Sequence, residues 1–448
     1  MKIIVVGGGK VGSTLCEQLV AERHDVVLID QDERTVASVV DDYDVNAIVG
    51  NGVSTDIQRE AGVQNADLVI SCTPSDELNI LTSMVAKKIG AKQTIARVRN
   101  PQYFNVFLSQ DLGLNLMVNP EYLAAQEISR ILNFPYATHV EDIGDGSSKL
   151  IEYRLPKGSP LVGIALRDMG QTFGAHILIC TVRRGDETIV PQGSFELAEG
   201  DVIYVSAATD DLYKLFRNAK VSAVRNKNVY ILGGSRVAFY LAQSLAKDYA
   251  VTVIERDEKV CADFYEALPA SVKVVCANGY DQRELLAEGV SDTDVVVALS
   301  NDDEKNILIS MFTKAIGKRT IVKVDKTEYV GMLEKMGINS AISPKHLTAN
   351  QIVRFVRALR SGKGGVVYSV YKTMNSGAEF VEFEVGKDFA HEGVLLKDLK
   401  LKKNTILVSI THDGKTVVPS GLSTIQCGDH IVVATQSTGL TDFNEVFE

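Results

Sequence analysis

The chain has 448 residues, 45% hydrophobic and 23% charged, which is ordinary for a globular protein and leaves room for two to four domains. A formal net charge of -10 argues against a nucleic-acid-binding surface spread over the whole molecule, and no apolar run approaches the roughly 18 to 20 residues that span a bilayer. The six cysteines (Cys16, Cys72, Cys180, Cys261, Cys276, Cys427) form no C-x-x-C pair and sit mostly in apolar runs, so reduced, buried thiols are expected. The first strand pattern starts directly after Met1 with no export signature, which predicts a cytosolic protein whose membrane role, if any, comes through a partner.

In chain order, Ile3-Ile4-Val5-Val6 reads as a strand that stops at Gly7-Gly8-Gly9-Lys10-Val11-Gly12. An amphipathic helix follows, with Val11, Leu15 and Leu19 on its core face. Gly7, Gly9 and Gly12 have the G-x-G-x-x-G spacing, which allows a tight turn, close approach to a pyrophosphate, and close strand-helix packing. The helix N-terminus then favours the phosphate. The next strand, 25–30, ends at Asp30, an acid placed to accept both hydroxyls of an adenosine ribose and to repel a 2′-phosphate. NAD or a simple adenine nucleotide is therefore expected ahead of NADP. Further strands are predicted at 46–49, 67–72 and 94–98, alternating with helices as in a parallel, doubly wound sheet. The loops Gly50-Asn51-Gly52 and Thr73-Pro74-Ser75 fall at strand carboxyl ends, where ligands of such sheets sit. Arg97 ends the fifth strand, either to neutralise a phosphate or to form an ion pair on the sheet edge. Pro120 opens a helix over 121–132.

The pattern then changes to short alternating strands with Gly and Asp turns, a compact β-rich module. All of it then recurs. Asn228-Val229-Tyr230-Ile231-Leu232 runs into Gly233-Gly234-Ser235-Arg236-Val237-Ala238, with Leu241 and Leu245 continuing the stripe; Glu255 stands for Asp30, Ala277-Asn278-Gly279 for Gly50-Asn51-Gly52, Ser300-Asn301 for Thr73-Pro74 and Lys323 for Arg97. Pro344 opens the second long helix, 345–360, and Gly200-Asp201 is matched by Gly428-Asp429. The expected domains are 1–138, 139–226, 227–364 and 365–448, with Ser361-Gly362-Lys363-Gly364-Gly365 as the clearest linker. Ser235 and Ala238 replace two motif glycines, adding bulk where close approach is wanted. No acid occurs between Lys335 and Ala378, where Arg354, Arg357 and Arg360 recur at helical spacing, nor between Leu212 and Lys227. These stretches read either as cations favoured by helix C-termini or as docking faces for acidic loops or anionic lipid.

The order of sheet, helix, β module, and then the same again resembles the tandem regulator-of-potassium-conductance (RCK) proteins of the TrkA family. The residues that carry the likeness are the turn at 5–12, Asp30, Gly50-Asn51-Gly52, the loop from Thr73 to Asn79, Arg97 and the two Gly-Asp pairs. The resemblance implies a non-catalytic subunit on the cytosolic face of the cell membrane, assembled as a homotetrameric gating ring under a membrane potassium channel or transporter. It implies NAD(H) contacts at Gly7, Gly9, Lys10, Val11, Asp30, Thr73, Pro74 and Arg97, and matching positions at Gly233, Ser235, Arg236, Val237, Glu255, Ser300, Asn301 and Lys323. Gly8, Asn51 and Gly234 complete the candidate set from the turns themselves. ATP or ADP is expected especially at the second site.

Two other readings compete. An NAD-dependent dehydrogenase needs a proton donor beside the nicotinamide. None of the seven histidines recurs at equivalent positions of the two copies, no metal spacing is present, and modules of roughly 80 residues are short for a substrate domain. A nucleotide-sensing transcription regulator needs a basic recognition helix. The only candidate, 345–360, is the counterpart of 121–132 and so reads as a structural element.

Overall fold

The computed structural model describes residues 1–100, 103, 114–134, 136–143, 148–221, 227–326, 328–338, 340–359, 365–372, 377–437 and 439–448. The linker residues 361–364, Arg360 and Arg225 lie outside them, as do the boundary positions 226 and 364.

Alternating β-branched runs and amphipathic helices give β1 (Lys2–Val6), α1 (Lys10–Ala21), β2 (Asp25–Asp30), α2 (Glu33–Asp42), β3 (Asn46–Val49), α3 (Thr55–Glu60), β4 (Leu68–Ser71), α4 (Asp76–Ile89) and β5 (Gln93–Arg97). A sixth strand, β6 (Leu116–Val118), precedes α5 (Pro120–Asn133). The parallel sheet has the order β3-β2-β1-β4-β5-β6, and its switch point lies between β1 and β4. Sequence reading names five of these strands and misses β6, whose three residues are too few to show a period.

The first module is an antiparallel sheet of β7 (His139–Ile143), β8 (Ser148–Arg154), β9 (Ile177–Arg184), β10 (Glu187–Ile189) and β11 (Val202–Ala208), flanked by α6 (Leu166–Phe173) and α7 (Thr209–Asn218). The second half repeats the first with β12 (Asn228–Leu232), α8 (Arg236–Leu245), β13 (Ala250–Glu255), α9 (Glu258–Ala267), β14 (Lys273–Cys276), α10 (Gln282–Ala287), β15 (Val295–Ala298), α11 (Asp303–Ala315), β16 (Arg319–Lys323), α12 (Glu328–Lys335), β17 (Ser340–Ile342) and α13 (Pro344–Leu359). Its sheet order, β14-β13-β12-β15-β16-β17, is that of the first. The second module sheet joins β18 (Gly365–Lys372), β19 (Glu379–Val385), β22 (His430–Thr435), β20 (Thr405–His412) and β21 (Lys415–Val417).

The long helices are exchanged between halves. Ala124, Ala125, Ile128, Ile131 and Leu132 of α5 are buried in one core with Val237, Leu241 and Leu245 of α8 and the second sheet. Ala349, Ile352, Val353 and Val356 of α13 are buried with Val11, Leu15 and Leu19 of α1 and the first sheet. Burying Ile352, Val353 and Val356 contributes roughly 5 to 9 kcal/mol as an upper bound. Asn119 caps α5 by accepting from Tyr122 N at 2.9 Å, and Pro120 fills the first turn, where its missing N–H leaves no bond unmade. The two modules also share a core, in which Leu150, Cys180 and Tyr204 meet Phe380, Val408 and Val432.

This exchange overturns the docking-face expectation for Arg354 and Arg357. Arg357 is 1% exposed and donates to Glu22 Oε2 at 3.0 Å and Glu379 Oε2 at 2.8 Å, joining α13 to the end of α1 and to β19. Arg354 donates to Glu141 on β7 at 3.1 Å. Both cations face carboxylates inside the molecule, so neither is presented to a partner. Cys16, Cys72, Cys180 and Cys261 are buried, whereas Cys276 and Cys427 are exposed. Among the described residues no helix is long and apolar enough to cross a membrane.

Candidate functional site

Each parallel sheet carries a cleft at its carboxyl edge. In the first, Gly7 turns the chain at φ +102°, and a Cβ on it would lie 2.9 Å from Thr73 N. A Cβ at Gly12 would fall 1.8 Å from Gly7 O, so strand and helix meet there with no room for a side chain. Gly9 differs. Its backbone is extended, and a Cβ on it would meet nothing within 4 Å. Packing within the chain explains Gly7 and Gly12, whereas a Cβ on Gly9 would stand in open space.

Asp30 closes the cleft at the end of β2. Its Oδ2 accepts from Gly8 N at 2.6 Å and its Oδ1 from Asp32 N at 2.9 Å, so the carboxylate holds the glycine turn while retaining lone pairs for other donors. A cavity of about 140 Å³ runs from Asp30 and Asn51 across Gly7 to Thr73 and Pro74, with Gln31, Val53, Leu78 and Thr82 completing it. This volume is below the usual ligand-pocket range of about 300 to 1,000 Å³. Gly8, Gly9, Lys10, Val11 and Arg97 lie outside it.

Each of these five stands somewhere definite. Gly8 is pinned by Asp30, and a Cβ on it would lie 2.7 Å from Thr35 Cγ2. The Val11 side chain is in the core. Lys10 Nζ reaches across to the other half and pairs with Asp325 Oδ2 at 2.6 Å. Arg97 ends an interior strand, because β6 lies outside β5. Its Nε is buried and, among the described residues, has no hydrogen-bond partner, and burial followed by the nearby Arg99 charge lowers its pKa. The sheet-edge ion pair considered for Arg97 and Lys323 is thereby excluded, since β17 likewise flanks β16.

In the second cleft Gly233, Gly234, Ser235, Glu255, Ser300 and Asn301 line a cavity of about 620 Å³ together with Arg256, Asp257, Asn278 and Tyr280. Glu255 repeats the role of Asp30, accepting from Gly234 N and from Asp257 N at 2.9 Å. Ser235 turns its hydroxyl onto its own helix, where it accepts from Ala238 N at 3.3 Å, and the Ala238 side chain is fully buried. The two substitutions therefore do not narrow the cleft. Val237 faces the core, Arg236 is exposed outside the cavity, and Lys323 is 6% exposed with burial lowering its pKa. Its Nζ donates to Ser300 O at 3.2 Å and to Asn301 Oδ1 at 3.3 Å. Tyr280, like Arg256 and Asp257, is a lining residue that motif reading missed, and its signal lies in aligning the halves, which sets it opposite Val53.

The descriptions of two domains match this chain: the TrkA-N domain at residues 3–120 and 229–344, and the TrkA-C domain at residues 150–220. A Trk system potassium uptake protein TrkA homolog of Archaeoglobus fulgidus is 31% identical over 100% of both chains. The Trk system potassium uptake protein TrkA of Haemophilus influenzae is 29% identical, over 97% of this chain and 95% of its own. Among solved structures, the GsuK RCK domain superposes with a TM-score of 0.64 at 17% identity, covering 98% of this chain and 93% of its own. The GsuK channel bound to NAD gives 0.62 at 17% identity, covering 99% and 78%. At such identities the structural likeness establishes the fold. The relatives carry the names of uptake-system proteins, which sets aside the dehydrogenase reading.

Proposed function

The chain belongs to the TrkA family of tandem RCK proteins, and from that premise we propose that it is a nucleotide-sensing regulatory subunit of a potassium uptake system. It binds NAD(H), ATP or ADP in its two clefts, assembles as a homotetrameric ring, and attaches to the inner face of the cell membrane through a potassium channel or transporter subunit. The observation that carries this reading is the link between the clefts. Lys10, from the glycine turn of the first, is paired with Asp325, two residues beyond Lys323 of the second, and each exchanged helix packs on the other half's sheet. A ligand that draws Lys10 towards its phosphate breaks that pair and changes how the halves meet.

Assembly is supported by two matching stripes. Leu78, Leu81 and Met84 on α4, and Leu308 and Met311 on α11, are exposed large apolar residues at helical spacing. Repeated apolar faces on both halves suit a ring of like contacts. The test is potassium uptake in cells lacking this chain, restored by the natural sequence, together with titration of NADH, ATP and ADP into the purified protein. Uptake unchanged by the deletion, or no nucleotide bound, refutes the proposal. Steady NADH consumption with oxo-acids in proportion to protein would refute its non-catalytic part.

A further inference from the structure

Two positions of the second half carry thiols where the first half carries valines. Val36 is the fourth residue of α2 and Cys261 the fourth of α9, while Val49 ends β3 beside Asp30 and Cys276 ends β14 beside Glu255. Burial is the same in both halves: Val36 and Cys261 are buried, Val49 and Cys276 exposed. A buried cysteine is ordinary packing, one small apolar group in place of another. An exposed one on an edge strand gains nothing from packing, so the joint exchange points to the chemistry of the two thiols.

The fold brings both sulfurs to one turn. Cys261 Sγ donates to Glu255 O at 3.2 Å and Cys276 Sγ to Arg256 O at 3.9 Å, so they sit on consecutive carbonyls of the segment that joins β13 to α9. They also act on each other. Burial first, and then a hydrogen bond with Cys276 and its charge, push the Cys261 thiol up to about 12. Both are free thiols. Cys16 and Cys72, by contrast, are both buried, so neither meets a solvent-borne oxidant first.

The same turn borders the second cavity. Glu255, Arg256 and Asp257 belong to its lining, as do Val260, next to Cys261, and Asn278, two residues beyond Cys276. A covalent bond needs the sulfurs closer than any hydrogen bond does, so it takes Cys261 Sγ off Glu255 O and draws the start of α9 towards the end of β14. That movement displaces lining residues on both elements.

We propose that Cys261 and Cys276 form a redox-active pair, which a peroxide closes to a disulfide, weakening nucleotide binding in the second cleft. The exposed Cys276 reacts first. Its thiolate attacks one peroxide oxygen, the O–O bond breaks, and the departing hydroxide takes up the thiol proton as water, leaving a sulfenic acid. This step removes the Cys276 charge that helps keep Cys261 protonated. The Cys261 sulfur then attacks the sulfenic sulfur; the S–O bond breaks, and hydroxide leaves with the Cys261 proton as a second water. Two electrons pass from the thiols to the peroxide, and a dithiol reductant returns them. A reducing compartment makes the bond transient, as suits a sensor. The change in affinity rests on the second cleft being a nucleotide site, as proposed above, whereas the bond itself does not.

The test exposes the full chain to hydrogen peroxide and maps its cysteines by mass spectrometry. Cys261 and Cys276 should appear in one linked pair of peptides, lighter by two hydrogens, and dithiothreitol should separate them. Cys276→Ser should leave Cys261 reduced at the same dose, and Cys261→Val, which restores the residue of the first half, should let Cys276 pass on to the sulfinic acid. In an Asp30→Ala background, which weakens the first cleft, ADP should bind the oxidised chain at least about fivefold more weakly than the reduced one in calorimetry, and recover on reduction. Adding Cys276→Ser should make ADP binding indifferent to peroxide. Peptides that stay unlinked overturn the pair, and a linked pair with unchanged ADP affinity overturns its control of the cleft. If the reduced natural chain binds no nucleotide, the nucleotide reading falls and control of the cleft with it, while the mass map still decides the bond.

Discussion

The two clefts are built on sheets of identical strand order, and each turns on a glycine of positive φ, Gly7 or Gly233, followed by a glycine, Gly8 or Gly234, whose N–H donates to an acid at the end of the neighbouring strand. They differ in residues that line the cavities, Val53 against Tyr280 and Thr73-Pro74 against Ser300-Asn301, and in residues outside them, Arg97 against Lys323 and Gly12 against Ala238. Duplication has thus kept the strand order and the glycine turn while the residues around them have diverged. The same division marks the exchanged helices. Both cover the opposite sheet with an apolar stripe, but among the described cations of α5 and α13 it is Arg357 that is wholly buried.

That asymmetry gives the largest expected effect. Arg357→Ala leaves Glu22 and Glu379 without their guanidinium, and losing one partner of a buried ion pair costs about 3 to 5 kcal/mol. Urea denaturation should show the loss, and a shift under 1 kcal/mol would mean the two halves are fastened alike. Next, Gly12→Ala forces a methyl onto Gly7 O and should weaken NADH by more than about a hundredfold, near 2.7 kcal/mol. Ala238→Gly, its mirror image, should leave ADP binding nearly unchanged, and equal losses in calorimetry would make the turns equivalent.

Asp30→Ala removes a charged acceptor worth about 1.5 to 3 kcal/mol, so NADH affinity should fall roughly ten- to a hundredfold, whereas Glu255→Ala should chiefly weaken ADP. Variants that lose both ligands equally would erase the distinction. The smallest effect belongs to the link between clefts. Lys10 is 71% exposed along its side chain, and Asp325→Asn should change stability by less than about 1 kcal/mol while altering how ADP and NADH affect each other's binding. Unchanged mutual influence would remove this pair from the coupling.

A pH dependence separates the halves in another way. Burial alone lowers the His139 pKa, but Glu127 at 2.7 Å and Glu141 at 3.4 Å outweigh it and raise the value to about 10. A raised folded-state value means that this stabilisation is fully present below the unfolded value near 6.5 and is lost as pH rises through about 10. Melting temperature should decline between those limits, and less so in His139→Gln. A flat profile in the natural chain would show that this cluster of α5 and β7 is not holding a charged imidazole.

Much of this was legible before the fold was known, because it is written in local periods. The stripe Val11, Leu15, Leu19, the prolines that open α5 and α13, and five strands of each parallel sheet follow from spacing alone. What was not legible is non-local. No period says that α13 lies on α1, so Arg354 and Arg357 looked like an open basic face when their carboxylates are supplied by β7, α1 and β19. Ser235 looked obstructive because a sequence does not show which way a hydroxyl turns. Tyr280 went unnoticed because one aromatic after a glycine has no motif, and only its register against Val53 gives it meaning.

The exchange of α5 and α13 also sets the order in which the molecule is able to mature. Roughly 230 residues separate β6 from the residues of α13 that cover the first sheet. At translation rates of about 5 to 20 residues per second, the apolar side of that sheet emerges from the ribosome roughly 10 to 50 seconds before its cover exists. During synthesis the first half is therefore an unfinished, adhesive intermediate, and its safe passage depends on chaperones or on the speed of the ribosome.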